Sequence, residues 1–408
     1  MKKIFTILLS AILVIPAADA NASAKPGSSC KRIGESAVAG SERLICAKNG
    51  KKTLWSKRAD VTAFATGPTG RLVYRYVGGN QERQSLFGDW IKKDSRSERS
   101  FDPIRVAAYK SIRALKSDPS HANIKFDYIF RPSYPKDVAE VVKLQSVEFA
   151  KRLSPMLDKK VEIKLILLTE KDKAFIDSEL PDIAPRQEWQ GALEILSDYS
   201  TLERFYSRSG TGGGTAAYLP EKGYGYYIGH TSSLAKLTTY WPQVAPHEMT
   251  HVMQGVLANG FSGQYGEGDP RAKWHGHLIE GSANTFGMAL GFDQLGWYAD
   301  EMDTHLRFGV KQFKSQFPMR NVDDAVKLIN EIEKRDTQAR GELSYSAGQY
   351  VWEYFVGKYG ADKFVELLKN IPKSDDFAQN IKQTIGIEKS EFYKAAGEYL
   401  LANWKRLS

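Results

Sequence analysis

Cys30 and Cys46 are the only cysteines in 408 residues, which excludes a disulfide-dense scaffold and any cysteine-built zinc module. Beyond the first fifteen residues, no apolar run approaches the ~20 residues that a membrane-crossing helix needs. The net charge of +9 is spread along the chain rather than gathered in a basic block, and no nucleic-acid-binding motif accompanies it. Internal repeats and low-complexity tracts are missing as well. The glycine run Gly210-Thr211-Gly212-Gly213-Gly214-Thr215 lacks the Lys-Ser/Thr pair of a phosphate loop, so it does not point to a nucleotide. It can instead allow close backbone approach beside a strand. What remains is a globular composition, 42% hydrophobic and 26% charged, with length enough for a large core or two lobes.

The first 22 residues carry a secretory pattern: Lys2 and Lys3, then the apolar stretch Ile4 to Ile15, then small-x-small sites around Ala18-Asp19-Ala20 and Ala20-Asn21-Ala22. The expectation is export, to the outside or to the cell envelope, with an uncleaved anchor as the alternative. Two cysteines in an exported chain read as one disulfide, Cys30 to Cys46, stapling a small β-rich module over 23–60. That module is either an appendage or a device for envelope attachment or for blocking a metal. The positive net charge admits an anionic cell-envelope polymer as a partner. Residues 61–100 read as a connector, with Arg71–Val77 as one strand of a hairpin turning at Gly78-Gly79-Asn80.

From 101 to 408 the pattern is α+β. Phe101–Lys116 and Lys136–Leu153 have helical spacing, while Ile124–Arg131, Lys160–Leu168 and Tyr224–Ile228 read as strands. After Asn284 only helices are expected: Val322–Glu333 capped by Asn321, a helix from Ser344 or Tyr345 to Gly360, Ala361–Asn370, and Glu391–Leu407 capped by Ser390.

Histidine is scarce, seven in all, yet four of the seven fall between 247 and 277. Pro246-His247-Glu248-Met249-Thr250-His251 reads H-E-x-x-H within an apolar helical pattern. Two histidines four apart share one helix face, one turn apart, and can reach one ion. Glu248 projects about 100° away, placed to take a proton without being a ligand. Chance matches to this pattern are expected only on the order of 0.01 times in such a chain.

A catalytic zinc keeps three protein ligands and leaves the fourth position to water. Downstream, Glu280 lies 29 positions after His251 (280 − 251) in His277-Leu278-Ile279-Glu280-Gly281-Ser282-Ala283. Here the chain resembles the gluzincin metallopeptidases called peptidase MA-like, whose second helix reads W-L-x-E-G-x-A. His277 stands at the Trp position, where it could pack, donate to substrate or compete as a ligand. Tyr345-Ser346-Ala347-Gly348, 65 positions after Glu280 (345 − 280), matches the Tyr-x-x-Gly that follows in gluzincin aminopeptidases. The resemblance covers roughly 101–408. It implies a gluzincin-type domain with a mixed β-sheet/helix N-lobe (101–258) and an all-helical C-lobe (259–408), with Zn2+ held by His247, His251 and Glu280.

The same resemblance implies Glu248 as general base, Tyr345 as oxyanion donor, and an edge strand within 215–229 that pairs with an extended peptide or protein substrate. The G-x-M-E-N exopeptidase motif is missing, which favours cutting within chains. His277, and less so His275, are candidate transition-state donors. Asn284 either accepts a ligand-histidine N–H or packs. The remaining histidines, His121, His230 and His305, read as surface or packing residues. Two other functions stay open: a non-catalytic envelope protein that keeps the fold, and a hydrolase of cell-wall peptide.

Overall fold

The structure, a computed structural model, describes residues 24–31, 36–39, 42–49, 52–57, 73–77, 80–84, 90–92, 96–184, 212–231, 233, 241–260, 275–374 and 376–408. The signal peptide expected over 1–22 lies outside them. The chain divides into two compact units, residues 1–95 with 237–239, and residues 96–236 with 240–408.

In the first unit, β1 (Ser36–Ala39), β2 (Glu42–Asn49) and β3 (Lys52–Lys57) make an antiparallel sheet in that order. The preceding segment adds to the free side of β3: the N–H of Gly27 donates to Trp55 O at 2.7 Å, and that of Trp55 to Ser28 O at 2.8 Å. Ala24, Cys30, Leu44 and Trp55 are buried together, a cluster small enough to need help in holding its fold. Cys46 stands opposite Trp55 in the ladder. Its side chain, and with it the expected pairing to Cys30, lies outside the described residues. The stretch expected as a connector with one hairpin carries a three-stranded sheet, β4 (Val73–Val77), β5 (Asn80–Gln84) and β6 (Trp90–Lys92). The β4–β5 ladder reaches Val77 opposite Asn80; the expected turn at Gly78-Gly79 lies outside the described residues.

The second unit is α+β. Helix α1 (Pro103–Arg113) starts on Asp102, whose carboxylate accepts the N–H of Ile104 at 2.8 Å ahead of Pro103. A four-stranded sheet follows, built from β7 (Ile124–Phe130), β8 (Val161–Leu168), β9 (Gly212–Leu219) and β10 (Tyr224–Thr231). Its order is β7-β8-β10-β9, with β7, β8 and β10 parallel and β9 antiparallel at the edge. Helix α2 (Lys136–Leu153) joins the parallel pair β7 and β8, as a crossover must. Short helices α3 (Lys173–Ser178) and α4 (Leu180–Ile183) cover one face, where Ile166, Leu168, Phe175, Leu180, Leu219, Tyr226 and Ile228 form a common core. The expected edge strand within 215–229 resolves into two: β10 is interior, and the edge is β9, which begins inside the glycine run.

Helix α5 (Trp241–Leu257) packs against β9, α2 and the next helix. A π turn over His277–Gly281 runs directly into α6 (Ser282–Gly291). Seven more helices complete the chain: α7 (Leu295–Phe313), α8 (Val322–Glu331), α9 (Gln338–Ser346), α10 (Gly348–Tyr359), α11 (Ala361–Asn370), α12 (Phe377–Ile385) and α13 (Lys389–Leu407). Asn321 caps α8 by accepting from Asp324 N at 2.9 Å. Two expected helix starts are displaced. Tyr345 lies in the last turn of α9 rather than opening a helix, because Thr337 caps an earlier start by accepting from Arg340 N. The last helix begins at Lys389, two residues before Glu391, on a reciprocal cap between Glu388 and Glu391.

Candidate metal centre

The buried positions Val244, Met249, Val252 and Met253 fix the rotation of α5 about its axis, and so where its polar residues point. Pro246 interrupts the ladder by bringing no N–H, and Thr250 Oγ1 returns a hydrogen bond to Pro246 O at 2.7 Å. His247 and His251 meet one turn apart. Their Nε2 atoms are 3.1 Å from each other, with the rings nearly perpendicular at 84°.

Glu280 arrives from the π turn, a distortion of the kind that often re-aims a functional side chain. Its Oε2 lies 3.4 Å from each histidine Nε2. A tetrahedral ion with bonds of roughly 2.0–2.1 Å sets its ligand atoms about 3.3–3.4 Å apart. The three atoms therefore already span the base of such a tetrahedron. Oε2 is also buried without a hydrogen-bond partner, a condition that costs about 1–3 kcal/mol if nothing meets it. Two imidazole nitrogens and one orphaned carboxylate oxygen form a donor set suited to zinc, so the residues present fit the expected ion.

The tautomer of His251 follows from its neighbour. Gln254 Nε2 donates to Ile279 O and to Ser282 Oγ, each at 2.9 Å, so Gln254 Oε1 is the atom 2.9 Å from His251 Nδ1. The ring proton sits on Nδ1, which leaves the Nε2 lone pair facing Glu280. One glutamine thus orients a ligand and ties α5 to the turn that carries the third. Asn284, the expected candidate for that service, instead has Nδ2 at 3.5 Å from Tyr345 O and 3.4 Å from Gln349 Oε1. Gln254 is three residues after His251 on the same face, and that spacing could have revealed it.

Burial and neighbours push the carboxylates apart. Burial raises the pKa of Glu248, the two imidazoles only partly offset it, and the group ends above the ordinary glutamate value. Burial would raise Glu280 too, but the Arg335 guanidinium and the imidazoles hold it well below the usual range. For His251 burial works downward, and the Glu280 and Glu248 carboxylates outweigh it, so its pKa is raised. The two carboxylates are thus shifted in opposite directions, a division suited to a ligand beside a base.

Glycines permit two contacts that the site depends on. A Cβ on Gly214 of β9 would fall 2.6 Å from Glu248 Cγ, so the edge strand can lie against the candidate base only because that residue has no side chain. A Cβ on Gly281 would lie 2.3 Å from the carbonyl carbon of Gly348. The glycine after Glu280 and the glycine three after Tyr345 therefore meet where the π turn crosses α10. Through that crossing Tyr345 comes to stack on His247, with ring centroids 5.9 Å apart and planes at 13°.

His277 is not brought to the trio in a catalytic pose. It is fully buried, Nδ1 accepts from Trp352 Nε1 at 3.2 Å, and Nε2 is 2.9 Å from Tyr393 Oη. An indole N–H only donates, so Nδ1 is unprotonated and the Nε2–H donates to the phenol. With both nitrogens engaged, the ring has no lone pair or proton left for a substrate, and the expectation of a donor is corrected. His275 sits 3.2 Å from Glu333 Oε2 through Nδ1. Of the other histidines, His121 is 3.1 Å from Ile124 O, His305 is 3.4 Å from Glu301, and buried His230 has its pKa lowered to about 4 by desolvation.

No family model, curated protein or solved structure matches the chain.

Proposed function

We propose that the protein is an exported, zinc-dependent peptidase that hydrolyses peptide bonds, cutting within chains rather than removing N-terminal residues. The reading carries with it a gluzincin-type two-lobed domain and a Cys30–Cys46 disulfide in the N-terminal module. The observation that supports it most is the triangle of His247 Nε2, His251 Nε2 and the orphaned Glu280 Oε2, with Glu248 buried next to it.

When bound, zinc supplies Lewis acidity that brings a water's pKa to about 7. Glu248, its own pKa raised by burial, accepts a proton from the attacking water and delivers it to the amine nitrogen as the C–N bond breaks. Tyr345 donates its phenol hydrogen to the oxygen that gains charge at the carbonyl. Strand β9, at the edge of the sheet among the described residues and flush against Glu248 at Gly214, offers backbone donors and acceptors to an extended chain. Among the described residues no helix is long and apolar enough to cross a membrane.

The test pairs metal content with turnover. Purified protein is expected to hold one zinc, and Glu248→Gln to keep it while losing roughly 10²–10⁴-fold in kcat on a mixed peptide library. Wild type and Glu248→Gln equally inert on that library would leave a binding protein in place of the enzyme.

A further inference from the structure

The segment between α8 and α9 meets the candidate centre at a point that the motifs do not mark. Its backbone grips the chain just before the π turn: Gly276 N–H donates to Glu333 O at 2.7 Å, and His277 N–H to Ile332 O at 3.1 Å. From the same segment Arg335 reaches inward. Nη1 donates to Glu280 Oε1 at 2.5 Å, Nη2 donates to Tyr345 Oη at 3.3 Å, and the guanidinium carbon stands 5.3 Å from the centre of the Tyr345 ring.

The geometry points to Arg335 as a positioning residue that keeps Glu280 a one-oxygen ligand and aims the Tyr345 hydroxyl; this rests on the zinc peptidase reading above. Two physical arguments carry it. A carboxylate free to turn can offer both oxygens to one ion, and so fill the position that water needs. Arg335 occupies Oε1, which leaves only Oε2 toward His247 and His251, where it stands without a hydrogen bond. Second, a guanidinium donates and never accepts. The phenol oxygen of Tyr345 therefore takes the Arg335 hydrogen on a lone pair, which sets the direction of its own O–H bond away from Arg335. The planar fork serves two partners at once, which a lysine's single ammonium does not reproduce in the same geometry.

The experiment compares wild type, Arg335→Gln and Arg335→Lys in the full chain. It reads zinc affinity by chelator competition, the visible spectrum of cobalt-loaded protein, and kcat and KM on the peptide library. Arg335→Gln is expected to lose roughly 10–100-fold in zinc affinity and to show the weaker absorption of a five-coordinate cobalt ion. Arg335→Lys is expected to recover most of the affinity but to stay about 10-fold or more below wild type in kcat at similar KM. Unchanged affinity and cobalt spectrum in Arg335→Gln would overturn the inference alone. If Arg335→Gln does not fold, Arg335→Lys with wild-type kcat and spectrum overturns it. Wild type without zinc sinks this inference together with the metal reading. Wild type that binds zinc but cleaves nothing sinks the peptidase reading, and affinity and spectrum then decide on Arg335.

Discussion

Two groups of two histidines and one glutamate stand close to one another in sequence and are alike in composition: His247, His251 and Glu280, and His275, His277 and Glu333. In each, ligand-type atoms lie within 4.8 Å of one another. Their difference is in what those atoms already hold. Glu333 accepts from Tyr393 Oη at 2.7 Å, pairs with Lys389 at 2.5 Å and faces His275 at 3.2 Å. Both nitrogens of His277 are engaged. In the first group Glu280 Oε2 has no hydrogen bond and two imidazole nitrogens face it. The bonds already made by Glu333 and His277 tie the second group into the core, while the unmet Glu280 Oε2 leaves the first open to an ion. Counting residues finds both groups; counting lone pairs separates them.

The sharpest way to break this contrast is metal analysis of matched variants. His251→Ala should lose nearly all bound zinc, since it removes one of three ligands, while His275→Ala should keep one zinc per chain. Zinc lost from His275→Ala and retained by His251→Ala would reverse the assignment of the two groups.

A smaller effect is expected one bond further out. Gln254→Ala frees the Nδ1 proton of His251 and unties α5 from the π turn, and roughly 10–100-fold of zinc affinity should go with it. Chelator competition showing wild-type affinity would mean that packing alone orients the ring.

The saturated group should report on stability instead. His277→Phe leaves Trp352 Nε1 without an acceptor in the core, at a cost of about 1–3 kcal/mol in denaturant unfolding, with zinc content unchanged. A loss of zinc without a loss of stability would show that the two groups are not separate.

The smallest effect is in pH. Burial and the neighbouring His275 hold the pKa of His277 well below the ordinary value, so folded protein binds fewer protons than unfolded protein between the two values. Stability is then fully present above about 6.5 and falls as the solution is acidified. His230, lowered to about 4 by burial, adds a loss of the same sign between about 6.5 and 4. Melting temperatures measured across that interval should decline in wild type and decline less steeply, though still measurably, in His277→Phe. Equal slopes would mean that His277 titrates normally.

Local elements were largely legible in the sequence. Helices α1, α2 and α11 and strands β7, β8 and β10 lie where periodicity placed them, because each carries its own apolar pattern and its own stops. The H-E-x-x-H pair was legible for the same reason, as four residues are one helical turn. Where local signals competed, the element boundaries were settled by partners elsewhere. The glycine run entered β9 because β10 supplied a partner strand, and the α9 start moved because Thr337 capped first.

The sequence by itself determined that two imidazoles share one face of a buried helix and that a carboxylate lies between them in the chain, since backbone geometry alone decides both. Only the tertiary structure decided which histidines keep a free lone pair, because the donors that saturate or spare them come from far along the chain. Trp352 reaches His277 across 75 positions and Tyr393 across 116. Arg335 reaches Glu280 across 55 positions, and no spacing rule spans such separations.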